Sequence, residues 1–297
     1  MNYPLPAHIQ FLRLLLLSVL LAGNSKLSTA IPQMKSEPKE IWLGDVLNDQ
    51  HAIKYRDYVI QERQRKVYNP QEARIPIDVS YAVLKRSGRT ILRFDDNIYF
   101  GLGNDTRFGL ASLLGGQAKQ ALISQDAPRT GTQWVVMLSQ RPRIIFNGPQ
   151  WSVGREGDDM SVVDLDGDGV YEIMAPITDF YGLQDKMSMS QIPLPLIIFK
   201  YSSYKRRYLP ANSRFKEYAL EGMTTLPNIG TEDQLQHRSL VLRRTLALIY
   251  VGKRKDGWRN FNQSYKLNDK VEIIGRVRAI LVRQPVYRFI YNRSEHK

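Results

Sequence analysis

The sequence predicts an α+β fold, in which an antiparallel β-rich domain, partly propeller-like or sandwich-like, is followed by a small C-terminal helical region. Between about residues 75 and 210, short β-type runs recur every 8 to 12 residues with Gly, Asp or Asn between them. Beyond residue 230 the apolar residues change to helical spacing. A hydrophobic content of 43% across 297 residues suffices for a buried core.

Residues 1–30 have the pattern of a secretory signal peptide. His8 and Arg13 precede the apolar run 14–23, which is too short for a stable membrane anchor, and Ser28 and Ala30 offer a cleavage site. We therefore expect a mature chain that starts near Ile31 and is periplasmic or secreted. No later segment has the 18 apolar residues of a transmembrane helix, so none is expected in the mature chain.

Residues 31–74 are predicted to form a polar lead and one helix. Segment 31–40 is polar and contains proline. Segment 48–67 is charged, with apolar residues at Ile53, Tyr55, Val59 and Ile60, which favours a helix that ends before Pro70.

The β-rich domain is predicted to span residues 75–210. Its nine or ten strands are too few for a closed propeller of four or more blades, so we expect an open or sandwich-like sheet domain, or one whose edges a partner covers. The predicted strands cover 75–83, 90–94, 98–102, 120–124, 133–138, 143–146, 160–163, 171–174, 194–201 and 204–209.

The last segment, 211–297, is predicted to be helical. The first helix covers 232–251, with Thr231 as N-cap and Gly252 as C-cap, and shorter helices cover 256–265 and 269–283, the last stopping before Pro285. The apolar faces of the two longer helices are Leu235, Leu242, Leu246 and Ile249, then Val271, Ile274, Val277 and Leu281.

Charge divides the chain near residue 200. Residues 31–200 hold 20 basic and 21 acidic side chains, whereas residues 201–297 hold 20 basic and 8 acidic ones. This asymmetry makes residues 201–297 a candidate for association with an anionic surface, either lipid head groups or envelope polysaccharide; the alternative is that these lysines and arginines, at hairpin and helix ends, are solvated. Nucleic acid is not expected as a partner, because an exported protein rarely meets it.

The absence of cysteine excludes disulfides, thiolate nucleophiles and thiolate zinc sites. A structural cation is an alternative means of stabilising an exported chain without disulfides. His51 and His237 lack any nucleophile motif beside them, which argues against a Ser-His-Asp hydrolase.

Residues 164–172 read DLDGDGVYE and form the sharpest chemical motif of the chain. Asp164, Asp166 and Asp168 occupy positions 1, 3 and 5 of a calcium loop, and Gly169 occupies position 6. The carbonyl of Val170 and the side chain of Glu172 complete the predicted set of ligands. Position 12 is alanine, so the loop is not an EF-hand.

The flanking β-type residues place this loop in a hairpin. With them, segment 161–174 resembles the FG-GAP or VCBS calcium-binding β-repeats of integrin-α-like propellers and exported bacterial proteins. The resemblance implies a structural Ca²⁺ bound by Asp164, Asp166, Asp168, Val170 and Glu172. Segment 106–125 is a candidate for a second repeat that lacks the acidic loop.

These observations favour an exported, non-enzymatic binding or scaffold protein with a structural Ca²⁺, no catalytic residues, and a protein or polysaccharide partner. One alternative is an envelope hydrolase in which Glu156 or Asp158 acts as acid or base beside the metal. Another is a basic surface-association protein whose calcium is incidental, in which residues 211–297 alone would bind.

Overall fold

The computed structural model describes residues 39–41, 43–47, 50–68, 76–95, 105–126, 131–154, 161–221 and 233–292. Within them, the strands form three antiparallel sheets, in the orders β2-β3-β4-β5, β6-β7-β8-β9 and β1-β10-β11-β12-β13. The strands are β1 (Lys39–Ile41), β2 (Ala52–Tyr55), β3 (Tyr58–Tyr68), β4 (Pro76–Arg86), β5 (Arg89–Phe94), β6 (Asp105–Ala111), β7 (Gln120–Asp126), β8 (Gly131–Met137), β9 (Arg143–Asn147), β10 (Ser161–Asp164), β11 (Glu172–Pro176), β12 (Leu196–Ser202) and β13 (Arg207–Pro210).

The β6–β9 sheet is the middle layer, because its two faces belong to two hydrophobic clusters. Ile123 and Trp134 on one face pack with Leu84 of the first sheet. Leu122 and Val135 on the other face belong to the cluster of the third sheet and the C-terminal helices. Successive side chains of a strand point to opposite faces of the sheet, so a strand that is buried on both faces has buried residues at successive positions. In β8, the first six residues are all buried.

Five of the seven described helices follow the last strand of the third sheet. The described helices are α1 (Leu43–Val46), α2 (Gly148–Trp151), α3 (Lys216–Ala219), α4 (Gln234–Tyr250), α5 (Arg254–Ser264), α6 (Lys270–Arg283) and α7 (Pro285–Tyr291), with 3₁₀ turns at Asp179–Leu183 and Met189–Gln191. The fold is therefore α+β with a helical C-terminus, as the sequence predicts.

One buried side chain joins the C-terminal helices to the β region. The fully buried Gln284 donates through Nε2 to the Trp151 carbonyl at 2.9 Å and caps α7 by accepting from Tyr287 N at 2.8 Å. Phe199 of β12 and Leu242 of α4 lie in the same hydrophobic cluster. The change in charge and secondary structure near residue 210 is thus not a break in the core.

The predicted helix over 48–67 is wrong, since β2 and β3 form a hairpin there. The turn between β2 and β3 consists of Arg56, which has a φ of 56°, and Asp57. Arg86 Nε donates to Asp57 Oδ2 at 2.5 Å. Tyr58 and Ile60 alternate with less buried residues and pack into the sheet core. Burial against the neighbouring strand outweighs the weak helical spacing of the segment.

Two details of the helical region also differ from prediction. Helix α6 buries Ile273, Val277 and Leu281, whereas Val271 is 82% exposed. Helix α6 ends at Arg283, before Pro285, as predicted, but Pro285 also starts α7, a helix that the sequence analysis did not predict, because a proline fits the first turn of a helix. Among the described residues, no helix is both long and apolar enough to cross a membrane.

Candidate metal centre

The acidic loop connects β10, which ends at Asp164, to β11, which begins at Glu172. Gly167 and Gly169 have φ values of 72° and 79°. Residues with a Cβ rarely adopt this left-handed conformation, so the two glycines allow the chain to turn twice within the loop. The loop closes a tight hairpin, as the sequence predicts.

Asp164 is the most unusual carboxylate of the loop. Its side chain is buried, with a relative exposure of 7%, and Oδ2 accepts a hydrogen bond from Gly169 N at 3.1 Å. Its Oδ1 atom is also buried but has no hydrogen-bond partner. Burying a charged oxygen without a partner is unfavourable in free energy, and a cation next to this atom would compensate for it.

Two further carboxylates converge on Asp164. Three carboxylate oxygens, one each from Asp164, Asp166 and Glu172, all lie within 4.8 Å of one another. These three residues could therefore hold a metal ion. Glu172 is fully buried, and its Oε2 accepts from Leu165 N at 2.8 Å. This backbone contact fixes the glutamate within the hairpin, and its other oxygen, Oε1, accepts from the Lys200 ammonium.

Lys200 of β12 extends its ammonium group into the same cluster. The Nζ atom lies 2.9 Å from Asp166 Oδ1, 2.8 Å from Asp168 Oδ2 and 2.7 Å from Glu172 Oε1. Arg214 adds a second cation, donating to Asp166 Oδ2 at 2.6 Å. The loop oxygens therefore already surround one point of positive charge.

The position of Lys200 follows from strand register. Ile173 pairs with Phe199, so the residues beside them, Glu172 and Lys200, point to the same face of the sheet. That face carries a small apolar cluster that includes Ile198 and Phe215. Sequence reasoning missed Lys200, because nothing in a single sequence gives the register between β11 and β12.

Electrostatics differ among the carboxylates. Burial raises the pKa of Glu172, and the Lys200 ammonium offsets this effect only in part. For Asp168 burial acts in the same direction, but the contacts with Lys200 and Val170 N outweigh it and lower the pKa. Burial alone would lower the pKa of Lys200, yet its three carboxylate partners raise it well above its usual range.

The loop keeps an excess of negative charge. Asp164, Asp166, Asp168 and Glu172 carry four negative charges when ionised, and their ion-pair partners Lys200 and Arg214 carry two positive ones. The formal balance of these six groups is −2. One divalent cation would bring the balance to zero if Lys200 stays in place, or to −1 if the ion takes the place of the ammonium.

The other two predicted ligands are Asp168 and Val170. The Asp168 side chain is 44% exposed and is not among the three converging carboxylates. Its Oδ1 accepts from Val170 N at 2.9 Å. The structure thus brings together Asp164, Asp166 and Glu172, while Asp168 reaches them through Lys200.

A second turn supports the loop from the middle sheet. The carbonyl of Leu113, in the β6–β7 turn, accepts from Tyr171 N at 2.8 Å. A Cβ on Gly115 would lie 3.1 Å from the Gly169 carbonyl oxygen, so the two turns are in close contact. Segment 106–125, the candidate second repeat, forms a β hairpin that packs against the acidic loop.

The structure does not test the suggested catalytic carboxylates, and it places both histidines in structural contacts. Glu156 and Asp158 lie outside the described residues. His51 Nδ1 contacts Glu62 Oε2 at 2.7 Å, and the buried His237 accepts from Lys266 N through Nε2 at 3.2 Å. These contacts give both histidines structural partners.

Comparisons with protein-family models, with curated protein sequences and with solved structures found no match. The resemblance to FG-GAP or VCBS repeats therefore rests on segment 161–174 alone.

Proposed function

We propose that the loop from Asp164 to Glu172 binds one Ca²⁺ as a structural ion, in an exported, non-enzymatic binding or scaffold protein. The observation that carries this proposal is the buried Oδ1 of Asp164, which has no hydrogen-bond partner. Asp164 belongs to the four loop carboxylates, three of which converge, and the paired cations Lys200 and Arg214 leave these six groups with a formal charge of −2.

Calcium suits these donors better than other common ions. It binds six to eight oxygens and tolerates irregular geometry, whereas zinc favours nitrogen and sulfur, and magnesium requires a nearly ideal octahedron. Asp164, Asp166, Asp168 and Glu172 would supply carboxylate oxygens, and Val170 would supply its carbonyl. Bound in this hairpin, the ion would hold β10 and β11 together.

Lys200 sets the condition for metal binding. Its ammonium and a divalent cation compete for the same oxygens of Asp166, Asp168 and Glu172. The lysine side chain is flexible, so its charged end can move towards solvent while its methylene groups stay on the sheet. Calcium binding is then an exchange of one cation for another, which lowers the affinity relative to a loop without the lysine.

Thermal melting of the metal-stripped chain tests this function. We expect the melting temperature to rise as Ca²⁺ is added and to fall again with a chelator, and a double substitution, Asp164→Ala with Asp168→Ala, should remove the response. A matched control is Asp185→Ala, which removes an exposed carboxylate that pairs with Arg276 on α6. A metal-stripped protein whose melt does not respond to Ca²⁺ would show that Lys200 and Arg214 stabilise the loop without a metal.

Export has a separate test. In a Gram-negative expression host, the proposal predicts recovery of the protein from the periplasm or medium with an N-terminus near Ile31. Protein that stays in the cytoplasm with an intact N-terminus would contradict export without bearing on the metal.

A further inference from the structure

The four C-terminal helices have a strongly basic surface. Residues 233–292 contain 13 lysines and arginines but only 4 aspartates and glutamates. All four acidic side chains have partners within the described part of the protein. The exposed basic side chains are Arg243, Arg244, Lys253, Arg254, Lys255, Arg259, Lys266, Arg278, Arg283 and Arg288.

Helix α6 adds exposed apolar side chains to this charge. Its inner face buries Ile273, Val277 and Leu281. Its outer face presents Val271 and Val282, which are 82% and 65% exposed, at positions separated by three helical turns. Gly275 and Ala279 lie between them along the same face and are also exposed, so this face carries no bulky polar side chain at those positions.

Arginines flank the exposed valines. Arg278 lies on the same side of the helix, with its guanidinium 5.1 Å from the centre of the Trp258 ring of α5, and Arg283 is exposed one residue after Val282. Stacking on an aromatic ring restricts an arginine side chain while leaving its charge accessible. The outer face thus combines apolar tips with fixed positive charge.

We propose that the outer face of α6, defined by Val271, Gly275, Arg278, Val282 and Arg283, binds the surface of a lipid bilayer that contains anionic head groups. A bilayer surface matches both features, because its phosphates attract arginines and its acyl boundary accepts valines. A soluble polysaccharide or a nucleic acid backbone would use the charge but would leave the valines in water. The helix would lie in the plane of the interface.

Vesicle flotation of the full chain in a chelator tests this proposal independently of calcium. The protein should float with vesicles of phosphatidylcholine that contain phosphatidylglycerol, and not with phosphatidylcholine alone, and added NaCl should weaken the binding. Each arginine removed should weaken the binding about five-fold, so Arg278→Gln with Arg283→Gln should weaken it roughly 25-fold. Val271→Ser with Val282→Ser should also weaken it, although the charge is unchanged.

A control with the same loss of charge is Arg63→Gln with Arg89→Gln, two exposed positions of the first sheet. This control should bind like the unaltered chain, and melting temperatures should show that every variant is folded. Equal losses for both arginine pairs would overturn the assignment to α6. Three other results would overturn the proposal of membrane binding. They are flotation that does not depend on phosphatidylglycerol or NaCl, no flotation at all, and binding to soluble dextran sulfate without binding to vesicles.

Discussion

Replacing Lys200 by methionine separates a loop held by its own lysine from a loop that exchanges this lysine for a metal. Methionine keeps an unbranched side chain on β12 but removes the charge that contacts Asp166, Asp168 and Glu172. In a chelator, the loop then has four carboxylates with Arg214 as their remaining ion-pair partner among those described. We expect a clear loss of stability under this condition.

The size of the loss follows from the burial of the groups involved. Removing one partner of a buried ion pair costs about 3–5 kcal/mol. The Lys200 side chain is 13% exposed and Asp168 is 44% exposed, so solvent screening favours the lower end, about 3 kcal/mol. For a chain of this size, about 2–4 °C per kcal/mol gives a decrease of roughly 6–12 °C in melting temperature.

Calcium should reverse most of this loss. In the unaltered chain, an incoming Ca²⁺ has to displace the ammonium, whereas in Lys200→Met it does not. Because the coupling between lysine and ion is reciprocal, the loss of about 3 kcal/mol in the apo state corresponds to Ca²⁺ binding that is roughly 100-fold tighter. The melting temperatures of the two proteins should therefore approach each other as Ca²⁺ saturates both.

The assay is a set of thermal melts in chelator and across a Ca²⁺ titration, with Lys205→Met as the control. Lys205 is an exposed lysine of the adjoining β12–β13 turn, where its ammonium lies over the Tyr204 ring. The control should melt like the unaltered chain at every Ca²⁺ concentration. A Lys200→Met protein that is equally destabilised with and without Ca²⁺ would refute the exchange of the Lys200 ammonium for Ca²⁺. The loop would then be stabilised by its salt bridges and not by a metal.

The remaining predictions concern single positions. Asp164→Asn should melt at or above the unaltered chain in chelator but below it in Ca²⁺, because the buried unpartnered oxygen is unfavourable until an ion binds; lower stability under both conditions would contradict this. Gly169→Ala should lower the free energy of unfolding by about 1–2 kcal/mol, since φ is 79° there. Gly275→Ala should raise the free energy of unfolding by up to about 1 kcal/mol, because alanine favours a helix more than glycine does and no atom lies near the added methyl group on α6. Chemical denaturation measures the effect of both glycine substitutions. Gln284→Ala should cost about 1–3 kcal/mol in the same assay, because it leaves the buried Trp151 carbonyl without its donor; a cost near zero would show that water replaces this contact.

Sequence periodicity was sufficient for most of the described strands. The predicted strands at 120–124 and 133–138 correspond to β7 and β8, with small differences at their ends. Apolar residues at successive positions mark a strand that is buried on both faces, which makes these two easy to recognise. The predicted strand at 98–102 lies outside the described residues.

The missed elements required tertiary information. Over 48–67 the spacing of Ile53 and Ile60 is compatible with helix or strand, and only pairing with the long strand β4 decides between them. In α6 the predicted Val277 and Leu281 are buried, but Ile273 rather than Ile274 is the fully buried residue of the preceding turn, and Val271 is exposed. The end of α6 before Pro285 was predicted, but α7 was missed, because the proline that follows one helix can also begin the next.

The candidate site shows the same division between local and non-local information. The ligand spacing and both glycines of the loop are local features of one nine-residue segment, and the structure brings three of its carboxylates together. Lys200 and Arg214 are 28 and 42 residues beyond Glu172 in the sequence. Their approach depends on the β11–β12 register and on the chain after β13, so the internal cations could not be predicted from the motif.

The central claim is that the acidic loop binds a divalent cation despite its lysine, and calorimetric titration of Ca²⁺ into the metal-stripped chain tests this claim most directly. The expected result is saturable binding at one site, with tighter binding in Lys200→Met and none in the double variant Asp164→Ala with Asp168→Ala. Absence of binding heat in the folded Lys200→Met protein, at any Ca²⁺ concentration, would contradict the account.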